Sequence, residues 1–360
     1  MSININVVGA GPVGLMTCIF MNKMLSTKKY NITLFEKRPK YTRLQIITID
    51  KDVFVTIPRG VRKKIWGTTS RNQRGCFVFA PSKDILSTCY QSKKLPMATV
   101  PLCILEKHLE DYIRKECENV KIVKPKLKNE RLKIIFNKNK IIVSGKEYPY
   151  DILVGADGAN SIVAKNVMKT KYIPFRNKMY GMVINVETNK ASLKKTKYTP
   201  TLMERRNIMK TPEQHDYRFF RTPHGQYYIA VIISQHDFDE LYKAKLNNTK
   251  IPVKIARKLI DICRITDADC ADHKLKHISL FPVHPGRAEK MSQKVPKPTF
   301  LIGDALVNTH FFTGAGANSG IKEGMDLTRL IKKHGISITT GMYKQTCLLY
   351  TSDAADEGDS

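Results

Sequence analysis

Near its beginning the chain reads ININVVGAGPVG at residues 3–14, where an apolar segment runs directly into a glycine-rich turn. The pattern predicts a strand over Ile3–Val8 and, from its helical spacing, a helix from about Pro12 to Leu25. Gly9, Gly11 and Gly14 have the GxGxxG spacing, which permits a tight bend, close approach of a phosphate and close packing of helix on strand. The helix start adds N–H groups and a positive dipole end, so this unit is suited to a phosphate.

A second predicted strand, Ile32–Phe35, ends at Glu36. An acidic residue about 20 residues beyond a glycine turn can accept hydrogen bonds from the hydroxyls of an adenosine ribose. Strand, turn, helix, strand and acid together predict a dinucleotide-binding site.

Two later segments also place a polar turn after a strand. A strand predicted at Asp151–Gly155 leads into DGANS at residues 157–161, and one at Thr299–Ile302 leads into GDA at residues 303–305. A glycine-rich stretch, FTGAGANSG at residues 312–320, then precedes a helix predicted from about Gly316 to Lys333. A carboxylate at a strand end is suited to a ribitol hydroxyl, and the glycine-rich loop to a phosphate or a flavin carbonyl.

These three segments, in this order, resemble the class A FAD-dependent monooxygenases of the para-hydroxybenzoate hydroxylase superfamily over about residues 1–335. EKR at residues 36–38 with Arg43 is also similar to the flavin domains of the MICAL proteins. The resemblance implies an α/β fold: a Rossmann-like FAD-binding domain of the para-hydroxybenzoate hydroxylase type with an inserted, mostly antiparallel β-sheet substrate domain. It implies these cofactor-binding residues: Gly9, Gly11, Pro12, Val13, Gly14, Glu36, Lys37, Arg38, Arg43, Asp157, Gly158, Gly303, Asp304, Gly314, Ala315, Gly316, Ala317 and Asn318.

The chemistry implied by the resemblance belongs to FAD, with NAD(P)H as co-substrate. NAD(P)H reduces FAD, and a flavin hydroperoxide oxygenates a small-molecule substrate that the sequence does not identify. No catalytic side chain and no metal site is predicted, because the cofactor carries the chemistry.

The sequence departs from the family pattern at three places. Ala164 stands where an Arg is usual, which argues against tight NADPH binding, and Phe311 stands where a Pro is usual, which argues against hydroxylation. The helix predicted after Pro101 lacks the Arg or Gln often found at its start. Two other functions therefore stay open: a reductase or halogenase-like FAD oxidoreductase that does not hydroxylate, and a basic flavin-carrying protein that binds nucleic acid or an acidic protein.

The net charge is strongly positive, with 61 Lys and Arg against 32 Asp and Glu, a formal +29. Such a field attracts polyanions. The lysines, however, alternate with apolar residues and form no block, which is typical of a solvated surface.

The eight cysteines show no CxxC pair, which indicates reduced thiols and a cytoplasmic location. Neither a signal peptide nor a membrane-spanning segment is predicted.

We expect a discontinuous FAD-binding domain, residues 1–170 and 282–346, around a substrate-facing sheet at residues 171–281. The clearest strands of that sheet are predicted at Tyr180–Glu187, Tyr217–Arg221 and Gln226–Ile233. Residues 41–100 are expected to be loops and short strands with scattered arginines, namely Arg43, Arg59, Arg62, Arg71 and Arg74. His273 and His277 are expected to be structural. Residues 347–360 resemble a translated sequencing adapter, so we expect the natural protein to continue beyond about Thr346.

Overall fold

The computed structural model describes residues 2–43, 45–68, 98–127, 130–175, 178–187, 217–221, 226–247, 278–308 and 315–346. The chain divides into two compact units, the first formed by residues 1–66, 97–177 and 284–360 and the second by residues 67–96 and 178–283. Several features named above lie outside the described residues: Arg71, Arg74, His273, His277, Phe311, Gly314 and the segment from Cys347 onward.

In chain order the described helices and strands are β1 (Ile3–Val8), α1 (Pro12–Met24), β2 (Tyr30–Phe35), β3 (Ile46–Ile49), α2 (Lys51–Thr56), α3 (Arg59–Thr68), β4 (Ala98–Pro101), α4 (Leu102–Glu116), β5 (Val120–Val123), β6 (Ile134–Asn137), β7 (Lys140–Val143), β8 (Lys146–Pro149), β9 (Ile152–Gly155), β10 (Tyr172–Pro174), β11 (Met179–Glu187), β12 (Tyr217–Arg221), β13 (Gln226–Ile233), α5 (Gln235–Leu246), β14 (Ile278–Val283), β15 (Gly286–Ala288), β16 (Ser292–Gln293), β17 (Thr299–Leu301), β18 (Val307–Asn308) and α6 (Ala315–His334). A turn of π-helix covers Val163–Val167, turns of 3₁₀-helix cover Gly303–Ala305 and Gly335–Ser337, and residues 340–346 are helical.

The first unit is built around a six-stranded sheet with the order β16-β17-β9-β1-β2-β5. Strands β17 to β5 run parallel, and β16 pairs antiparallel at one edge. Val8 at the end of β1 is level with Phe35 and Gly155, and Leu301 is also level with Gly155. The turns after β1, β2, β9 and β17 therefore lie along one edge of the sheet, where open parallel sheets bind ligands.

Helices cover this sheet through close packing. Leu105, Leu109 and Ile113 of α4 are fully buried, as their helical spacing predicted. α1 packs against α6, where a Cβ added at Gly324 would lie 2.0 Å from Thr17 Oγ1. In the last helical segment, Tyr343 donates a hydrogen bond to the carbonyl of Leu301 and so fastens that segment to β17.

The prediction for residues 41–100 was wrong over residues 51–68, which form α2 and α3 and not loops with short strands. Val53 and Phe54 are the buried residues of α2, and Val61 and Ile65, four residues apart, form the apolar side of α3. Arg62, between Val61 and Ile65 in sequence, is half-buried, and its guanidinium lies over the Phe54 ring, 6.0 Å from the ring centroid. The arginines taken to be scattered among strands, Arg59 and Arg62, thus lie on α3.

The second unit contains a four-stranded antiparallel sheet with the order β12-β13-β11-β14. Three of its strands, β11, β12 and β13, match the predicted segments to within one residue. Helix α5 was not predicted; it begins after Ser234, whose hydroxyl accepts a hydrogen bond from Asp237 N as an N-cap. Phe238 of α5 packs on Tyr180 of β11, with ring centroids 4.8 Å apart. Within the described parts of the chain, none of the helices combines the length and the apolar composition needed to cross a bilayer.

Candidate cofactor site

The turn after β1 can be built only with glycine at two of its positions. Gly9 has φ +105°, and a Cβ there would lie 2.4 Å from the carbonyl oxygen of Ala156. A Cβ at Gly14 would lie 1.9 Å from the carbonyl oxygen of Gly9, so α1 rests directly on the turn. No side chain caps the start of α1, which begins at Pro12, and its first turn carries no acid. The helix therefore presents its positive end at the sheet edge.

Glu36, at the end of β2, is bound into the same turn. Its side chain is buried and accepts hydrogen bonds from Ala10 N (3.0 Å) and from the backbone N–H (2.9 Å) and guanidinium (2.8 Å) of Arg38. Burial would raise the pKa of Glu36, but the hydrogen bonds and charge of Arg38 lower this pKa below its usual value. Glu36 is thus an ionised acceptor beside the turn, whereas Lys37 is exposed.

Arg43 and a second buried carboxylate complete this side of the site. Glu106 of α4 is paired with Arg43 Nη2 and lies 3.7 Å from Arg38 Nη2. A Cβ added at Gly11 would lie 3.4 Å from Arg43 Nη2, so the guanidinium is adjacent to the bare backbone of the turn. Glu106 was not predicted, because only the tertiary structure brings α4 to Arg43.

The Asp-Gly segment after β9 is folded back on itself. One oxygen of Asp157 accepts from Ser161 Oγ (2.6 Å) and the other from Ile162 N (2.6 Å), so the carboxylate caps the helical turn that follows. Gly158 has φ +83°, a conformation that favours glycine. Ala164 packs against the core and Lys165 is exposed. The described contacts of Asp157 are therefore structural, and a ligand contact would be additional to them.

The Gly-Asp segment after β17 lies against the glycine turn. Gly303, at φ +59°, would place a Cβ 3.1 Å from Val13 Cγ2, and its N–H donates to Glu323 Oε2 of α6 at 2.7 Å. The Asp304 side chain is exposed, yet burial raises the pKa of its carboxyl and the charge of Arg43 lowers it. Asp304 therefore lies at the sheet edge within the electrostatic field of Arg43.

The start of α6 is the last predicted part of the site. The helix begins at Ala315, so Ala315, Gly316 and Ala317 form its first turn, which carries no acid. Asn318 is buried, and its Oδ1 accepts from Asp50 N at 3.2 Å. This amide therefore links α6 to the start of α2.

Comparison with known proteins agrees with this geometry. The family model described as "FAD binding domain" matches residues 149–335, just over half of the chain. No curated protein sequence matches the chain.

Solved structures share the fold at low sequence identity. A mutant of 2-methyl-3-hydroxypyridine-5-carboxylic acid oxygenase has a TM-score of 0.69 at 12% identity, over 98% of this chain and 87% of that one. For p-nitrophenol 4-monooxygenase PnpA from Pseudomonas putida the TM-score is 0.65 at 15% identity, over 99% and 88%. For a complex of aklavinone-11 hydroxylase with FAD and aklavinone it is 0.63 at 16% identity, over 92% and 62%. The chain belongs to the FAD-binding domain family, with FAD as its cofactor and the fold of the flavin monooxygenases.

Proposed function

We propose that the protein is a monooxygenase in which NAD(P)H reduces bound FAD and one oxygen atom of O₂ is transferred to a small molecule. The observation that carries this proposal is the convergence of four strand ends at one sheet edge. The glycine turn, Glu36 and Asp304 follow these strand ends, and Arg43 lies beside the turn, which supports one extended cofactor site along this edge.

The residues at this edge fit FAD by their chemistry. The bare backbone of Gly11 and the uncapped start of α1 suit the pyrophosphate, and Arg43 supplies a guanidinium beside them. Glu36, held ionised, suits the hydroxyls of the adenosine ribose. Asp304, exposed at the end of the Gly-Asp segment, suits a ribitol hydroxyl. When bound, FAD would supply the electron transfer and oxygen chemistry.

The chain's own contribution is to hold the cofactor in one orientation. Asp304 would fix the ribitol by accepting a hydroxyl hydrogen bond, and Gly303 keeps Asp304 in place through its own bond to Glu323. The first turn of α6 has only small side chains ahead of Asn318, so its backbone is accessible to a flavin carbonyl. Orientation of this kind matters because electron and oxygen transfer require the reacting atoms to be aligned.

The second unit is our candidate for substrate recognition. It supplies a four-stranded antiparallel sheet, the element that the family resemblance assigns to the substrate domain. Hydroxylated aromatic compounds are the first substrates to try, because two of the names above refer to a hydroxypyridine and to p-nitrophenol.

The test is to load the purified chain with FAD and follow flavin absorbance without oxygen as NADH or NADPH is added. Oxygen is then admitted with a panel of hydroxylated aromatic compounds, and hydrogen peroxide and isotopically labelled product are counted separately. Incorporation of labelled oxygen is the expected result. Flavin reduction with no labelled product from any compound would favour a non-hydroxylating oxidoreductase. Absence of reduction by either nicotinamide would contradict the proposal.

A further inference from the structure

Glu106 is a buried acid near the start of α4, the helix whose start lacks the Arg or Gln of the family pattern. Its side chain has no exposed surface. Oε1 faces the guanidiniums of Arg43 and Arg38, while Oε2 has no hydrogen-bond partner in the part of the chain that the structure describes. Because a buried carboxylate is costly unless it is paired, Glu106 and the two arginines act as one unit.

Arg43 is attached to α4 by its backbone as well as its side chain. Its carbonyl oxygen accepts from Cys103 N at 2.9 Å, and that of nearby Gln45 accepts from Leu102 N at 2.8 Å. Glu106, one turn further along α4, holds the guanidinium. The position of the guanidinium is thus fixed relative to α4, although 36% of the side chain is exposed.

The fixed guanidinium lies beside the glycine turn. Its Nη2 is 3.4 Å from where a Cβ at Gly11 would be, and its charge reaches Asp304. Arg38 lies between Glu36 and Glu106, so acidic and basic groups alternate from the turn to α4. Arg43 therefore lies beside the glycine turn and within electrostatic range of Asp304, where the pyrophosphate of FAD would lie.

We propose that Glu106 is a positioning residue for FAD: it holds the Arg43 guanidinium over the glycine turn so that this group meets the pyrophosphate. The inference rests on the proposed FAD site. Under this inference, neutralising Glu106 changes phosphate binding in the direction opposite to that expected from its charge alone. A carboxylate near a phosphate repels it, so removing the charge should tighten binding. Removing a positioning residue should weaken binding, because an Arg grips phosphate best when its planar fork is aligned.

The experiment measures displacement of FAD from the full chain by ADP and by adenosine, followed by the fluorescence of released flavin. ADP carries a diphosphate and adenosine does not, so only ADP reports on Arg43. Glu106→Gln should weaken ADP binding by about tenfold and leave adenosine binding unchanged. The matched control is Glu110→Gln, one turn further along α4, which removes the same charge from a carboxylate held by Arg114 and Lys124. It should change neither affinity.

Two further variants complete the test. Adding Glu106→Gln to Arg43→Ala should not weaken ADP binding beyond Arg43→Ala alone, since Glu106 acts through Arg43. If Glu106→Gln does not fold, Arg43→Lys keeps the charge without the fork and should lose about tenfold for ADP. Unchanged or tighter ADP binding in Glu106→Gln or Arg43→Lys, or an equal loss for adenosine, would overturn the inference. A wild-type chain that binds neither FAD nor ADP would overturn the proposed FAD site instead.

Discussion

At the scale of a single residue, Asp304 is exposed at the sheet edge, while the surrounding protein disfavours the charge of its carboxyl. A ligand hydroxyl would restore the hydrogen bond that the partly desolvated carboxylate lacks. Asp304→Ala should therefore weaken FAD binding by about 10- to 100-fold, as expected for a bond to a charged group. Fluorescence titration with FAD measures the loss. Asp111→Ala, on the exposed side of α4, is the control, and equal FAD affinities in the two variants would remove Asp304 from the site.

The titration of Glu323, which binds the Gly-Asp segment, should make the stability of the protein depend on pH. Burial raises the pKa of Glu323 from 4.5 to about 7; the bond from Gly303 lowers it, and the charges of Asp304 and Asp326 raise it. Because the folded pKa lies above the unfolded one, the stabilisation is complete below about pH 4.5 and is lost as pH rises through 7. The free energy of unfolding that is lost over this pH range amounts to about 3 kcal/mol.

Glu323→Gln keeps a carbonyl acceptor for Gly303 N but does not titrate. Relative to this variant, the wild type should lose about 3 kcal/mol of unfolding free energy between pH 4.5 and 8, as measured by urea denaturation. Glu116→Gln, an exposed acid at the end of α4, serves as the comparison. Parallel curves for wild type and Glu323→Gln would show that Glu323 does not titrate in this range.

Individual site residues were predictable where a local backbone requirement fixed them. Gly9 and Gly14 are needed by the turn itself, and Glu36 follows from the length of one strand–helix–strand unit. Glu106 and Glu323 were missed because their partners, Arg43 and Gly303, are 63 and 20 residues away. An isolated Glu on an amphipathic helix gives no signal that it is buried, since only the folded chain covers it.

At the scale of elements, the contact between α1 and α6 depends on small residues. Thr17 is fully buried on α1, and a Cβ at Gly324 would lie 2.0 Å from its Oγ1. Gly324→Ala should therefore destabilise the first unit by about 1–3 kcal/mol through overpacking, measured by urea denaturation. Gly60→Ala, on α3 with nothing within 4 Å of the added methyl, should be neutral or stabilising by up to about 1 kcal/mol. Adding Thr17→Ala to Gly324→Ala should recover part of the loss; a fully additive double variant would place the strain elsewhere.

Each helix or strand could be predicted to the extent that its burial gives a clear apolar pattern in the sequence. β9 (ILVG) is apolar and buried throughout, and the apolar end of β1 runs directly into the glycine turn, so both strands were clear in the sequence. α2 was missed because it is only six residues long, and α3 because its buried Val61 and Ile65 are separated by basic residues. α5 was missed because it is short and mostly polar, and its N-cap at Ser234 was the signal that could have revealed it.

At the scale of the whole molecule, the formal charge of +29 makes it necessary to distinguish binding of FAD by specific groups from binding by the general positive field. Such a chain attracts any polyanion, but attraction between exposed charges is screened beyond about 3 Å at 1 M salt. The diphosphate of FAD would instead be bound by backbone N–H groups at the start of α1 and by Arg43, where solvent ions have less access.

FAD at about 100 times its Kd should stabilise the folded chain by about 2.7 kcal/mol, which raises the melting temperature by about 4–8 °C. We expect most of this increase to persist in 1 M NaCl, measured by thermal scans, while any shift caused by heparin disappears. If FAD and heparin shifts both vanish in salt, the flavin is held by the general field of the protein and not by a built site.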